Sequence, residues 1–296
     1  MSAWLDSVRA GMKAGAIDGW LPGVFAYGFV VNALLCALII GPVLGGVGTM
    51  VVTKRLAFFA QAIGQAAITG VALGLLLGEP AERPYVSLFA FCALFALAMN
   101  FTRHRSQMSP DTVIAVFVSL SLAAGACLLP ALANKADAHL IESILFGSIL
   151  TVGDTDIAVL LVIGLGCAGL GLKYFNRMVL ASFNPALAQV RGVRVILLDY
   201  VFVMLVTVVT VAAVKIIGAI LVEALLIIPA AAARNVSRSL RGFFGWSVVL
   251  CTVSCVVGIL APMMLEVRVP SGAAIILVAA VFFGVTALWR GLRREA

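Results

Sequence analysis

Ser182-Phe183-Asn184-Pro185-Ala186-Leu187-Ala188-Gln189-Val190-Arg191-Gly192-Val193-Arg194 leads into an apolar run from Val195 to Ala233 whose only charged residues are Asp199, Lys215 and Glu223. The run closes in Arg234-Asn235-Val236-Ser237-Arg238-Ser239-Leu240-Arg241. As helix, at ~1.5 Å per residue, it is about 58 Å long, two crossings of a ~30 Å hydrocarbon core. The chain therefore goes out and back, with the turn expected near Lys215 to Gly218. Both flanks then lie on one side of a membrane, and both are basic.

The rest of the chain has the same character. Its 296 residues are 63% hydrophobic and 11% charged, with a mean hydropathy of +1.17. This composition describes an all-α, polytopic membrane protein, since apolar runs of about twenty residues are too numerous for one buried core. A membrane barrel would alternate apolar and polar residues instead. No soluble portion exists to carry a basic groove, so the net charge of +7 is read by side of the membrane and not as a nucleic-acid footprint. All six cysteines sit in apolar runs, which fits helix packing better than a disulfide framework. Residues 1–22 lack a cleavable signal pattern and read as an N-terminal surface segment, with Met12 to Leu21 a candidate amphipathic helix.

The chain is expected to form a single transmembrane domain over 1–296. Candidate spans cover 24–47, 56–78, 85–100, 112–131, 156–172, 195–213, 217–233, 244–264 and 272–289, nine in all. Residues 140–151 form a further apolar run, too short to cross, expected as a re-entrant or interfacial helix. Placing Lys54 and Arg55 inside gathers fourteen of the twenty basic residues on that side, including the 173–194 segment and the 234–241 loop. The positive-inside rule then gives an outside N-terminus and an inside C-terminus.

Glycine and proline punctuate the spans. Gly41, Pro42, Gly45, Gly46 and Gly48 are expected to weaken the end of the first helix, and Pro229 to break the seventh. Gly164, Gly166, Gly169 and Gly171 give the fifth span a small-residue surface that another helix can approach closely.

Polar groups inside the spans need an explanation. Glu223, near the middle of the seventh span, is either a cation ligand or proton acceptor facing a cavity, or a protonated structural acid bonded to a neighbouring helix. Gln61, Gln65 and Thr69 share one helical face, as interhelical glue or as oxygen donors to a solute. Lys215 either snorkels or pairs with an acid such as Glu142 or Asp137 to close an outer gate. Asp199 is expected to reach the headgroups. Asp154 and Asp156 are candidate helix caps or metal ligands, and Asp111 a cap. His139, ahead of the short helix, is the histidine placed to meet an incoming metal.

Several motifs together resemble the membrane permeases of the zinc/manganese/iron family of ATP-binding-cassette importers. They are the run Lys54 to Gly70, Ser109-Pro110-Asp111, the segment Leu145 to Leu150, Phe183 to Gly192, the block Leu225 to Arg234, and Pro270-Ser271-Gly272. Their order covers about residues 25 to 285. The resemblance implies a permease homodimer in the bacterial inner membrane, two cytoplasmic ATPase subunits and an extracytoplasmic metal-binding protein. It assigns 182–194 to ATPase docking, through Asn184, Pro185, Ala188, Arg191 and Gly192. No Walker-type motif occurs, so ATP is expected to be used by the partner, with no cofactor held by this chain. Where the family's second helix carries an Asp and, four residues on, a His, this chain has Gln61 and Gln65, and Glu223 stands where a small or neutral residue is usual. The transported divalent cation, Zn²⁺, Mn²⁺ or Fe²⁺, is then expected to pass Gln61, Gln65 and Glu223, with Pro229, Lys215 and Asp156 as helix break or gate. Two other classes compete: a proton-coupled secondary cation carrier with Glu223 as proton site, and a non-transporting scaffold. Uptake that survives ATP removal would favour the first, and cargo-independent partner binding the second.

Overall fold

The computed structural model describes residues 7, 9–13, 27–79, 85–106, 108–132, 152–265, 267 and 269–295. Among them every regular element is a helix. These are α1 (Gly28–Thr53), α2 (Ala57–Leu76), α3 (Tyr85–Arg105), α4 (Pro110–Leu132), α5 (Asp154–Phe183), α6 (Pro185–Val190), α7 (Val195–Ile217), α8 (Ala219–Val236), α9 (Leu240–Met264) and α10 (Ser271–Glu295). Nine of them are long and apolar enough to cross a membrane, as expected, and α6 is the exception. The expected short helix at 140–151 lies outside the described residues, as do His139, Asp137, Glu142 and most of 1–22. Within that N-terminal segment, residues 9–13 are helical.

The bundle is built on α1, which packs against α5, α7, α8 and α9. The glycines expected to weaken its end instead let other backbones in. A Cβ on Gly41 would stand 2.7 Å from the Thr252 Cα, and one on Gly45 would stand 2.8 Å from the Ser247 carbonyl oxygen. A Cβ on Gly48 would run into the Leu226 carbonyl. Gly41 and Gly45, one turn apart, thus seat α9, and Gly48 seats α8, the close approach that small residues allow in apolar surroundings. The helix continues to Thr53 because neighbouring helices hold it.

The glycines of α5 behave differently. A Cβ on Gly164 would stand 3.2 Å from Val43 Cγ2, but one on Gly166, Gly169 or Gly171 would meet nothing within 4 Å. The small-residue surface there is open rather than packed.

Pro229 does not break α8, which runs unbroken from Ala219 to Val236. Proline lacks the N–H that would bond the carbonyl four residues earlier, on Leu225. The Cys251 thiol of α9 donates to that oxygen, Sγ to O 3.7 Å. A neighbouring helix thereby supplies the donor that the proline removes, the usual way a proline is accommodated in a membrane helix. The break in this region falls one turn past Lys215, at Gly218, whose φ of +86° suits glycine. At the start of α4, Ser109 Oγ accepts the Thr112 N–H at 3.2 Å, so the cap is Ser109 and not Asp111.

Candidate functional site

Gln61 and Gln65 on α2 and Glu223 on α8 lie on two helices that pack against each other. A Cβ on Gly64 would stand 3.2 Å from that of Ala219, so α2 and α8 meet almost backbone to backbone there. The two helices run antiparallel, since Arg55, just ahead of α2, and Arg234, near the end of α8, line the same cavity. Glu223 is one turn from Ala219, and Gln61 nearly one turn from Gly64 in the same direction, so they fall at one level of the bundle, with Gln65 a turn away. All three side chains are half-buried, and none has a hydrogen bond or ion pair among the described residues. Thr69 is different: it is buried and donates to the Ser121 carbonyl of α4 at 3.0 Å, as interhelical glue. Glu223 lies in the second turn of α8 rather than halfway along it, yet that turn is inside the bundle because Ile216, Ile217, Gly218 and Ala219 are buried.

The set contributes one carboxylate and two amides. Among the described residues no three His, Cys, Asp or Glu side chains converge. Oxygen donors of this kind suit a harder divalent cation in loose coordination better than they suit zinc, which prefers imidazole and thiolate.

At the end of the bundle that includes the α7–α8 turn, Lys215 Nζ stands 3.5 Å from Asp156 Oδ1. It also lies 3.4 Å from the centre of the Tyr85 ring, and the Tyr85 hydroxyl donates to the same Asp156 oxygen at 2.8 Å. Asp156 accepts the Gly153 N–H at 3.3 Å as well, which caps α5. Asp156 and Lys215 are therefore joined, with Tyr85 as the member that the sequence did not reveal. Its position at the start of α3 is ordinary for an aromatic at a membrane boundary, so nothing local marked it. Asp154 pairs with Arg9.

At the opposite, basic end, Asp199 does not reach outward. It pairs with Lys54 and Arg103, and His104 Nε2 lies 3.2 Å from it. The Lys54, Asp199 and Arg103 side chains are only 10%, 13% and 15% exposed, because two cations satisfy one carboxylate inside the protein. The partners are 145 and 96 residues apart in sequence, too far for a local pattern to show.

The segment from Asn184 to Gly192 is a compact helical turn held at both ends. Asn184 Oδ1 accepts the Leu187 N–H at 3.0 Å, and Pro185 occupies the first helical position. Gly192, at φ +75°, ends it, while its N–H bonds the Gln189 carbonyl at 2.9 Å. Ala188 is fully buried against the bundle, whereas Asn184, Pro185 and Arg191 are exposed.

Comparison with known proteins agrees with the fold. Residues 26–290 match the ABC 3 transport family. The chain is 32% identical over 267 residues to the manganese import system permease protein ScaB of Streptococcus parasanguinis, covering 90% of this chain and 92% of that one. It is 29% identical over 232 residues to the high-affinity zinc uptake system membrane protein ZnuB of Haemophilus influenzae, covering 77% and 85%. Among solved structures, PsaBC from Streptococcus pneumoniae in complex with Fab superposes with a TM-score of 0.77 at 30% identity, covering 92% of this chain and 94% of that one. With nine helices among the described residues long and apolar enough to cross a membrane, and with this match over nearly its whole length, the chain belongs to the ABC 3 transport family and is a multi-pass permease.

Proposed function

We propose that the chain imports a divalent transition metal ion, coupled to two separate cytoplasmic ATPase subunits and fed by an extracytoplasmic metal-binding protein, as one half of a homodimer in the bacterial inner membrane. The observation that carries this reading is the trio Gln61, Gln65 and Glu223, polar, half-buried and unpartnered where α2 meets α8. Relatives named for manganese and zinc support the cargo class. A weak oxygen-donor set suits a transporter, since cargo held too tightly is not released. Mn²⁺ or Fe²⁺ fits these donors better than Zn²⁺. His139 is proposed as an entry ligand.

The basic end is the cytoplasmic one, with the N-terminus outside and the C-terminus inside, on the asymmetry of Lys and Arg. The capped turn at Asn184, Pro185, Ala188, Arg191 and Gly192 would then be the handle on which the ATPases push. Its rigid junction with α5 and α7 suits a part that must transmit motion. The Asp156–Tyr85–Lys215 cluster would hold the outer end closed, and Pro229 gives α8 a point of yield. Turnover would be limited by these movements rather than by covalent chemistry.

The test is uptake of Mn²⁺, Fe²⁺ and Zn²⁺ into proteoliposomes holding the chain with its cognate ATPase and binding protein. Glu223→Gln should lower ATP-dependent metal uptake at least tenfold while the protein assembles normally. Unchanged uptake in that variant would remove Glu223 from the path. Uptake that persists without ATP would instead indicate a gradient-driven carrier.

A further inference from the structure

Two cavities lie end to end on the same helices, and their linings are of opposite character. The one at the basic end has a volume of about 780 Å³ and is lined by Lys54, Arg55, Arg103, Arg234, Arg238 and Arg290 against a single carboxylate, Asp199. That carboxylate is already engaged by Lys54 and Arg103. Arg55, Arg234 and Arg238 are exposed and meet no carboxylate among the described residues, and Arg290 donates to the Asn235 side chain at 3.2 Å. The other cavity, of about 290 Å³, is lined almost wholly by apolar groups of α1, α5, α7 and α9, among them Met50, Gly171, Met178, Phe202 and Phe244.

The two are consecutive along one groove. Thr53, Ser182, Asp199 and Leu240 line the basic cavity. Each is one helical turn from a residue of the apolar one, respectively Met50, Met178, Phe202 and Phe244. Lys54 spans the junction: it pairs with Asp199 and lies 5.0 Å from the centre of the Phe202 ring. An excess of guanidinium groups at the membrane boundary, continued inward by an apolar slot, is the complement of a molecule with a phosphate at one end and a hydrocarbon chain at the other. Arginine holds phosphate oxygens in bidentate fashion, and basic pockets between membrane helices take anionic headgroups. A free phosphate would use the first cavity and leave the second without purpose.

We propose that this groove is a binding site for one anionic phospholipid, its phosphate held by Arg55, Arg234 and Arg238 and one acyl chain laid between α1, α5, α7 and α9. The site is separate from Gln61, Gln65 and Glu223, and it stands whether or not the cargo is a metal.

Native mass spectrometry of the full chain in detergent tests it, with phosphatidylglycerol, phosphatidylcholine of the same acyl chains, and inorganic phosphate as probes. Phosphatidylglycerol should bind at least tenfold more tightly than phosphatidylcholine. The double variant R234Q/R238Q should abolish that preference, and R234K/R238K should keep part of it. Gly171→Leu, which fills the apolar slot at a position with nothing within 4 Å, should weaken both lipids and leave the headgroup preference intact. Equal binding of the two lipids would overturn the proposal. So would phosphatidylglycerol binding that ignores Gly171→Leu and is matched by inorganic phosphate, the signature of a soluble-anion site. If one variant fails to fold, the comparison of lipids on the unaltered chain and the other variant still decide.

Discussion

Gly48 and Gly166 are the same residue type in equally apolar runs, yet only one of them has no room for a methyl group. At Gly48 the Leu226 carbonyl occupies the space, whereas at Gly166 nothing lies within 4 Å. Gly48→Ala should force α1 and α8 apart and lower stability by about 1–3 kcal/mol, the usual effect of overpacking. Gly166→Ala should be neutral or mildly stabilising, because alanine is the better helix former. Thermal unfolding of the two detergent-purified variants, side by side, checks this. Glu223 raises a different question at the same scale. Its sequence position marked it as an acid in an apolar run, and the fold adds that it has no partner among the described residues and that Gln61 stands level with it.

Between elements, stability comes from groups that answer one another across helices. The Cys251 thiol serves the Leu225 carbonyl that Pro229 leaves without its helical donor. Cys251→Ser should retain this bond, while Cys251→Ala should lose it and cost roughly 1 kcal/mol, within the range for interhelical hydrogen bonds in membranes. In the Pro229→Ala background, where the helix supplies its own donor, the difference between the two should shrink, and a double-mutant cycle on thermal unfolding measures it. The α6 turn makes a second case. Gly192 holds a left-handed conformation that a β-branched residue resists. Gly192→Val should distort the turn and reduce co-purification of the ATPase at least several-fold, with the bundle itself still folded. Undiminished co-purification would detach this turn from docking.

At the scale of the whole molecule, the two ends are fastened by different chemistry. Lys54, Asp199 and Arg103 tie α3 and α7 to the connection between α1 and α2 at the basic end, in a setting with little exposure. At the far end Tyr85, Asp156 and Lys215 tie α3, α5 and α7 through more exposed groups. Removing the central carboxylate of a buried cluster leaves its cations unpaired, so Asp199→Asn should destabilise the whole bundle. Asp156→Asn should instead loosen one end. In a background without native cysteines, Gln65→Cys should then react at least several-fold faster with a membrane-impermeant thiol reagent added from outside. An unchanged rate would show that the Asp156 cluster is structural and does not close the path.

Much of this protein is legible in its sequence because a lipid interior imposes simple rules. Length and apolarity fixed the number of crossings, and the asymmetry of Lys and Arg set the expected orientation. Local patterns also read well where the physics is local: the turn near Gly218 and the isolated acid at Glu223. Tertiary structure decided what each polar or small residue meets. Asp199 reads as a headgroup-facing acid until Lys54 and Arg103, distant in the chain, are brought to it. Pro229 reads as a break until Cys251 arrives from α9, and the α1 glycines read as weak points until α8 and α9 are laid on them. The reason is the same in each case: a membrane helix can satisfy its own backbone, so its sequence announces the helix. Its side chains are satisfied by neighbours that only the packed bundle specifies.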